Sequence, residues 1–224
     1  MIFLEYLFMF CLFSVIGWVI ELVYRSIILK KIVNPGFMTG CVVPLYGFGS
    51  IILNIICKQV DKINLNNKII VLFFSSMLIL SALEYISGYL IKKIFHIKLW
   101  DYSMRKYNVD GFVCIFFSLV WGFSSIAYYY LIFPWISDVA FSFVHNIYGL
   151  FALGIFFGVF LIDLFVTIDL IKKLSDYAKS LRKVISLEKI KIDSIKESTR
   201  KNIWKSIYPY ISTNRFIKDK IKKK

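Results

Sequence analysis

Long apolar runs separated by short polar segments dominate the chain. We interpret five of them as membrane spans, over residues 3–28, 42–57, 69–95, 111–133 and 146–171. Runs of this kind approach or exceed the roughly 20 residues that a helix needs to cross a bilayer. The second run is crowded with Pro44, Gly47 and Gly49 at its start, so both a full crossing and a re-entrant segment stay open for it. The pattern predicts an all-α, polytopic membrane helical bundle of about five transmembrane helices.

The overall composition agrees with a membrane protein. Of the 224 residues, 58% are hydrophobic and 18% are aromatic, which exceeds the roughly half-apolar content of ordinary soluble domains. No cleavable signal peptide is evident, because Glu5 stands where a signal peptide has a basic segment. We therefore expect the first helix to remain in the mature protein.

The placement of basic residues predicts the orientation of the chain. Segments 25–41 and 92–110 carry three and five Lys or Arg, whereas segment 134–145 carries none. Under the positive-inside rule the basic segments lie in the cytoplasm. Segment 58–68, which holds three lysines, is the exception. We expect a multi-pass protein of the cell membrane with its N-terminus outside and its C-terminus in the cytoplasm.

The end of the chain differs sharply from the rest in charge. Residues 172–224 hold 17 Lys or Arg against 5 Asp or Glu, which accounts for +12 of the net charge of +14. Apolar residues recur there at near-heptad spacing, which is typical of an amphipathic helix on a membrane or against a partner. We therefore divide the chain into a transmembrane domain, residues 1–171, and a basic cytoplasmic tail, residues 172–224. The membrane is the nearest anion, so we expect anionic lipid and not nucleic acid at the tail. The residues expected at the membrane surface are Lys172, Lys173, Arg182, Lys183 and Trp204.

An internal repeat relates two parts of the transmembrane domain. The segment GFMTGCVVPLYGFGS, residues 36–50, matches GFVCIFFSLVWGFSS, residues 111–125, at a constant offset of 75 positions. Each segment follows an apolar run with one glutamate, Glu21 or Glu84. Because the predicted topology gives both copies the same direction, we expect a parallel duplicated helix-loop-helix hairpin, with binding sites favoured between the two halves. The two hairpins cover about residues 5–57 and 69–133.

The second copy contains an insertion. It is longer by 12 residues between its glutamate and its glycine, and the excess falls on KLWDYSMRKYNV. Trp100 and Tyr102 suit the membrane interface, which places Asp101 and Ser103 at the same depth. One interpretation is that this loop binds a zwitterionic or phosphate headgroup. The other is an aromatic belt beside a solvated loop.

The two glutamates of the repeat are the strongest candidates for function. A charge at the centre of a bilayer costs about 2.5–3.5 kcal/mol on insertion scales, so an intramembrane acid usually faces a partner or a wet cavity. One interpretation makes Glu21 and Glu84 a site for a proton, a cation or a headgroup. The alternative is a structural pair with Arg25, a tyrosine hydroxyl or a neighbouring helix.

Metal and cofactor chemistry is not indicated. The four cysteines and two histidines form no CxxC and no cluster of ligands. No phosphate-binding loop of the Walker A type is present, so we expect no nucleotide hydrolysis by the chain itself. We expect no metal and no cofactor, and we assign no catalytic residue.

Five segments in order resemble a known family. They are IGWVIELVYRSI, VNPGFMTGCVVPLYGFGS, ALEYISGYL, LWDYS and NVDGFVCIFFSLVWGF. Together they are similar to the membrane family described as "putative ABC-transporter type IV", also called the CmpB family, over roughly residues 5 to 135. Proline of the first copy, Pro44, is replaced by Leu119 in the second. The resemblance implies a permease component without an ATPase domain of its own. The positions expected to line its substrate site are Glu21, Asn34, Gly36, Tyr46, Glu84, Trp100, Asp101, Tyr102, Ser103 and Trp121.

Three functions stay open for the chain. The first is a permease-like subunit of an ABC transporter, with a separate ATPase subunit or a homo-oligomer as its assembly. The second is a structural or regulatory membrane protein whose basic tail binds lipid or a partner. The third is an intramembrane lipid-modifying enzyme, which no nucleophile–base spacing supports. The substrate is not readable from these residues.

Overall fold

A computed structural model describes residues 2–30, 34–63 and 67–187 of the chain, with side chains through residue 173 apart from that of Leu29. Two parts of the sequence-based prediction lie outside this description. They are the side chains of Arg182 and Lys183, and the tail after residue 187, which includes Trp204.

The described residues are almost entirely helical, which confirms the all-α prediction. The helices are α1 (Ile2–Leu29), α2 (Pro44–Lys62), α3 (Lys68–Phe95), α4 (Ile115–Leu131), α5 (Phe133–His145) and α6 (Ile147–Leu187). Two short strands, β1 (Asn108–Val109) and β2 (Val113–Cys114), pair antiparallel between α3 and α4, with Asn108 opposite Cys114.

Three of these helices are long and apolar enough to cross a membrane. They are the segments Ile2–Ile28, Lys68–Phe95 and Ile147–Lys173. Helices α4 and α5 form a fourth apolar unit that is bent by 67°. The chain is thus a membrane protein with three candidate spans, or four if the bent pair is one span. Helix α2 is less apolar, because Asn54, Lys58 and Asp61 interrupt it.

The segment between the predicted fourth and fifth spans differs from expectation. Residues 134–145 were expected as a connection, but they form most of α5. Pro134 lies in the first turn of that helix. A proline has no N–H to donate to the carbonyl four residues earlier, so α4 ends at Leu131 and the chain turns before it resumes a helix. The expected fourth span also begins late, at Ile115, because residues 108–114 form the β-hairpin.

The first five helices pack in sequence around a shared interior. α1 packs on α2, α2 on α3 and α3 on α4, and α5 contacts both α4 and α1. Buried residues from all five helices meet inside: Met9, Cys57, Leu72, Tyr128 and Ile136. Helix α6 adds Leu153 to this core, with Phe157 packed against it, and it also buries Thr167 and Ile171. Most of its other apolar side chains face outwards, as lipid contact allows.

The two helical hairpins use matching contacts. A Cβ added to Gly47 of α2 would lie 2.8 Å from the carbonyl oxygen of Phe10 in α1. A Cβ added to Gly122 of α4 would lie 2.6 Å from the Phe73 ring in α3. Phe73 follows Phe10 by 63 positions, the same separation as between Glu21 and Glu84. Each hairpin therefore brings its helices together by placing a glycine against a phenylalanine of the neighbouring helix.

Candidate functional site

Glu84 is the most deeply buried acid among the described residues. It lies in α3 with 5% of its surface exposed. Its Oε2 accepts a hydrogen bond of 3.0 Å from Trp121 Nε1, and its Oε1 accepts one of 3.1 Å from the Tyr102 hydroxyl. Both donors are neutral. None of the ion pairs found among the described residues includes Glu84.

Glu21 has a different environment at the corresponding place in α1. Its Oε2 forms a 2.9 Å ion pair with Arg25 Nε, one helical turn away. Its Oε1 accepts a hydrogen bond of 3.2 Å from the Tyr46 hydroxyl of α2. About a quarter of the Glu21 side chain is exposed. Glu21 therefore has a permanent positive partner, unlike Glu84.

Two aromatic rings join the glutamates into one site. The Tyr46 and Trp121 rings lie 5.7 Å apart, centroid to centroid, at an angle of 54°. Since Tyr46 binds Glu21 and Trp121 binds Glu84, the contact links the two hairpins at the level of both carboxylates. We call the five residues Glu21, Tyr46, Glu84, Tyr102 and Trp121 the glutamate cluster.

A glycine one turn from each glutamate makes room for the aromatic groups. A Cβ on Gly17 would overlap the Tyr46 ring. A Cβ on Gly88 would lie 2.8 Å from the Phe112 ring and 3.1 Å from the Trp100 ring. The absence of a side chain at Gly17 of α1 and at Gly88 of α3 thus lets aromatic rings of neighbouring segments pack directly on these helices.

The inserted loop between α3 and β1 is held by internal hydrogen bonds, and it points the Tyr102 side chain towards Glu84. Asp101 Oδ1 accepts hydrogen bonds of 3.1 Å from the Ser103 N–H and 3.3 Å from Lys98 Nζ. The Trp100 indole N–H donates to the Phe112 carbonyl at 2.8 Å, which ties both ends of the loop. Gly111 has a left-handed φ of +74°, a conformation that favours glycine. These contacts fix the loop locally.

Charge and burial set the ionisation of two loop residues. Partial burial opposes ionisation of Asp101, but the Ser103 N–H and the Lys98 ammonium outweigh it and hold the pKa of that carboxyl below its usual range. Burial, followed by the nearby Glu84 charge, raises the pKa of the Tyr102 phenol. The more distant Glu21 charge acts in the same direction. Tyr102 therefore stays protonated and remains a hydrogen-bond donor to Glu84.

The loop of the first hairpin is fixed by α6. Thr39 Oγ1 donates a hydrogen bond to Asp163 Oδ1, and the Gly40 N–H donates to Asp163 Oδ2 at 3.0 Å. The Thr39 N–H donates to Thr167 Oγ1 at 3.1 Å. Asp163, an acid inside an apolar run, thus anchors a loop. The sequence marks Asp163 as unusual, but nothing in it points to a partner 124 positions away.

Asn34 and Gly36 belong to the same loop. The Asn34 side chain accepts a 2.6 Å hydrogen bond from the Trp18 indole and donates one of 2.7 Å to the Thr39 carbonyl. Gly36 has a φ of +94°. These residues shape the turn into α2.

The predicted site residues thus fall into two groups. Five of them meet in the glutamate cluster. The other five shape the two loops beside it: Asn34, Gly36, Trp100, Asp101 and Ser103. Of the predicted membrane-surface residues, Lys173 pairs with Asp169 at 2.6 Å, and Lys172 is exposed. Within the described part of the chain, no group of three or more His, Cys, Asp or Glu is arranged to hold a metal ion.

A comparison with protein families identifies the chain. The family model described as "Putative ABC-transporter type IV" (CmpB) matches residues 8–168. The chain belongs to the CmpB family. No curated protein and no solved structure matches it. The match begins in α1 and ends in α6, so it contains the whole glutamate cluster and both loops, and it stops before the basic tail. The resemblance read from the sequence is confirmed, and the cluster lies in the part of the chain that this CmpB protein shares with its family.

Proposed function

We propose that this CmpB protein is a permease-like subunit without an ATPase of its own, and that the glutamate cluster is its substrate site. The observation that carries the proposal is the environment of Glu84, which is buried and bonded to two neutral donors. Hydrogen bonds from neutral groups do not cancel a charge, and an isolated buried charge is costly. A proton or a cation offsets it. The cluster therefore favours a proton or a cationic group as all or part of the substrate.

The position of the cluster supports this proposal. Glu21 and Tyr46 belong to the first hairpin, and Glu84 and Trp121 belong to the second. The matching contacts of Gly47 with Phe10 and of Gly122 with Phe73 favour a duplicated hairpin. Both copies would run in parallel, and transporters with repeated halves bind substrate between them.

We further propose five spans, made by α1, α2, α3, α4 and α6. With a rise of 1.5 Å per residue, the 19 residues of α2 and the 17 of α4 extend about 28 and 25 Å, close to the roughly 30 Å of a hydrocarbon core. Helix α5 then lies at the outer end, where segment 134–145 has no basic residue. The N-terminus is outside, the tail is cytoplasmic, and the glutamate cluster faces the cytoplasmic end.

An assembly follows from this function. A permease without an ATPase needs a separate ATPase subunit or another source of energy, and few spans favour a homo-oligomer or a partner. Intact purified assemblies can be weighed by native mass spectrometry in mild detergent. We expect an ATPase subunit or further copies of the chain. A bare monomer without lipid or partner would contradict the proposed assembly.

A structural or regulatory role is the second candidate. It is favoured by the Glu21–Arg25 ion pair and by the two hydrogen bonds that satisfy Glu84. An intramembrane enzyme has less support, because the cluster joins its acids to aromatic donors and not to a nucleophile.

Labelling with dicyclohexylcarbodiimide separates the two candidates, because this reagent modifies protonated carboxyl groups in apolar surroundings. We expect Glu84 to be modified in the purified protein and Glu84→Gln to lose the labelling. The matched control Asp138→Asn, at an exposed acid of α5, should keep it. The labelling is repeated in sodium chloride and in choline chloride. Slower labelling of Glu84 in either salt identifies a cation that competes with the proton for this carboxyl group. Absence of modification at Glu84, or labelling that Glu84→Gln does not change, would contradict a proton or cation site.

A further inference from the structure

Polar residues continue from the glutamate cluster along facing sides of α2 and α4. In α2 they are Tyr46, Ser50, Asn54 and Asp61, which recur at intervals of four, four and seven and therefore share one side of the helix. In α4 they are Trp121, Ser125, Tyr128 and Tyr129. We call these eight residues the α2–α4 seam.

Three contacts show that the two sides face each other. The Tyr46 ring lies 5.7 Å from the Trp121 ring. The Asn54 side-chain amide donates a hydrogen bond of 3.3 Å to the Tyr128 hydroxyl. Farther along, the Tyr129 hydroxyl donates to Asp61 Oδ1. The seam thus extends from the start of α2 to its last turn.

The contacts between α2 and α4 are made by long side chains, whereas the backbones of the two helices stay apart. Helix α2 packs closely on α1 and α3, and α4 packs closely on α3. Between α2 and α4 the groups that meet are tyrosine, tryptophan and asparagine side chains. Polar groups that only hold helices together usually accompany small residues and close backbone approach. The backbones of α2 and α4 do not approach each other closely along the seam.

Asn54 is the unusual residue of the seam. Its side chain is fully buried, and its Oδ1 has no hydrogen-bond partner within the described part of the chain. An unpaired polar atom inside the hydrocarbon region costs free energy unless a water molecule or another ligand satisfies it. Buried waters typically bind such atoms in polar interiors. Asn54 therefore points to water in the seam.

The neighbouring serines supply further acceptors at regular spacing. Ser50 Oγ donates to the Gly47 carbonyl at 2.8 Å, and Ser125 Oγ donates to the Gly122 carbonyl at 2.7 Å. Each hydroxyl oxygen keeps lone pairs for a water molecule. Four residues of helix rise about 6 Å, a distance that one or two hydrogen-bonded water molecules can span between successive polar levels of the seam.

An apolar layer interrupts the seam on the far side of Asn54. Cys57 and Val60 of α2 are buried, and they belong to the same hydrophobic core cluster as Tyr128. Along the helix they lie between Asn54 and Asp61, and Asp61 is exposed at the end of α2. The layer is about one turn thick, or roughly 5 Å.

We propose that the α2–α4 seam is a proton path between the glutamate cluster and Asp61, with the Cys57–Val60 layer as its gate. Along this path each water molecule accepts a proton on one side and passes another on, and the Tyr128 hydroxyl does the same. Trp121, whose indole N–H only donates, and the Asn54 amide line the path without relaying protons. At the ends the proton sits on Glu84 or on Asp61, so no oxidant or further reactant is needed. The path goes beyond the proposed function, because it does not depend on which substrate binds at the cluster.

A proton-flux measurement on the full chain tests the path. The protein is reconstituted in vesicles of phosphatidylcholine and phosphatidylglycerol that contain a pH-sensitive dye, and a potassium gradient with valinomycin drives the flux. Cys57→Ser places a hydroxyl of similar size in the gate and should conduct protons faster than wild type and than protein-free vesicles. Adding Tyr128→Phe or Asn54→Leu to Cys57→Ser should remove that excess flux.

The controls keep this test independent of folding and of the cluster. Ser75→Ala, at a hydroxyl of α3 that bonds to the Leu72 carbonyl, should leave the flux of Cys57→Ser unchanged. Carbodiimide labelling of Glu84 in each variant reports whether the cluster is intact. Tyr128→Phe keeps its ring, which packs 5.8 Å from Phe13, so it serves if Asn54→Leu does not fold. Flux of Cys57→Ser at the protein-free rate, or flux that Tyr128→Phe does not reduce, would overturn the proton path while leaving the glutamate-cluster proposal standing.

Discussion

At the scale of single residues, the two glutamates, which the proposed repeat places in corresponding helices, have unequal environments. Glu21 has Arg25 as a positive partner, whereas Glu84 has the indole of Trp121 and the phenol of Tyr102. An indole N–H only donates, while a phenol both donates and accepts. The carboxylate of Glu84 is thus the obligatory acceptor for Trp121.

This asymmetry predicts different outcomes for two substitutions at Glu84. In Glu84→Gln, the amide oxygen still accepts from Trp121 and the amide nitrogen donates to the Tyr102 oxygen, so we expect thermal stability close to wild type. In Glu84→Ala, the Trp121 N–H is left buried without its acceptor, which costs about 1–3 kcal/mol. Thermal unfolding of both variants in the same detergent measures the difference. Equal losses for Gln and Ala would show that the hydrogen bond to Trp121 does not stabilise the fold.

Asp101 gives a prediction on pH. Because the pKa of this carboxyl is lowered in the folded loop, its stabilising effect is complete above the unfolded value of about 3.9 and is lost as the pH falls through the lower, folded value. Asp101→Asn keeps an acceptor for the Ser103 N–H but loses the attraction to Lys98. We therefore expect the variant to be less stable than wild type at neutral pH. The difference should begin to shrink below about pH 4 and vanish below the folded pKa of Asp101, as followed by thermal unfolding over pH. A difference that stays constant with pH would contradict this role of the charge.

At the scale of elements, the hairpins depend on glycines that allow close helix packing. Gly47 faces the Phe10 carbonyl and the Ser14 hydroxyl, whereas Gly49, half a turn away, has its nearest atom, Leu80 Cδ2, at 3.8 Å. One helix therefore carries a crowded glycine and an uncrowded one.

Alanine substitutions at these two positions form a matched pair. Gly47→Ala forces the α1 backbone away and should destabilise the protein by about 1–3 kcal/mol. Gly49→Ala meets only ordinary contact and should be neutral or stabilising by up to about 1 kcal/mol, because alanine is the better helix former. Thermal unfolding of the two variants measures the difference in stability. A greater loss of stability for Gly49→Ala than for Gly47→Ala would contradict the packing of α2 on α1.

Particular elements also show what the sequence can predict. The expected runs 3–28 and 69–95 agree with α1 and α3 within a few residues, because long apolar runs with polar flanks leave little choice. The proposed repeat aligns Tyr46 with Trp121, and the structure brings these two rings into contact. The bend before α5 was missed, since apolar residues continue across Pro134. The contact of Thr39 with Asp163 was missed because no local pattern encodes a partner so far along the chain.

At the scale of the whole molecule, all residues of the glutamate cluster lie toward one end of the bundle. Glu21 belongs to the second half of α1 and Tyr46 to the first turn of α2, so they are at the end where the two loops lie. Segments 25–41 and 92–110, which overlap the described parts of those loops, are rich in Lys and Arg. The proposed orientation places this end in the cytoplasm.

Labelling of cysteines by a membrane-impermeant maleimide checks the orientation. Cys41 is exposed in the first loop, while Cys57 and Cys114 are buried. We expect Cys41 to react in inverted vesicles and not in intact cells. Asp138→Cys in a Cys41→Ala background should show the reverse, because α5 is proposed to lie outside. Labelling of both cysteines from the same side would contradict the proposed topology.

The contact between the Tyr46 and Trp121 rings has a consequence for stoichiometry. A ligand that displaces one carboxylate moves a ring that touches the ring held by the other carboxylate. Under the proposed function, both hairpins then contribute to a single binding event, in which Glu21 is already paired with Arg25 and Glu84 takes up the proton or cation. A titration should therefore saturate at one equivalent per chain, even though the chain carries two glutamates.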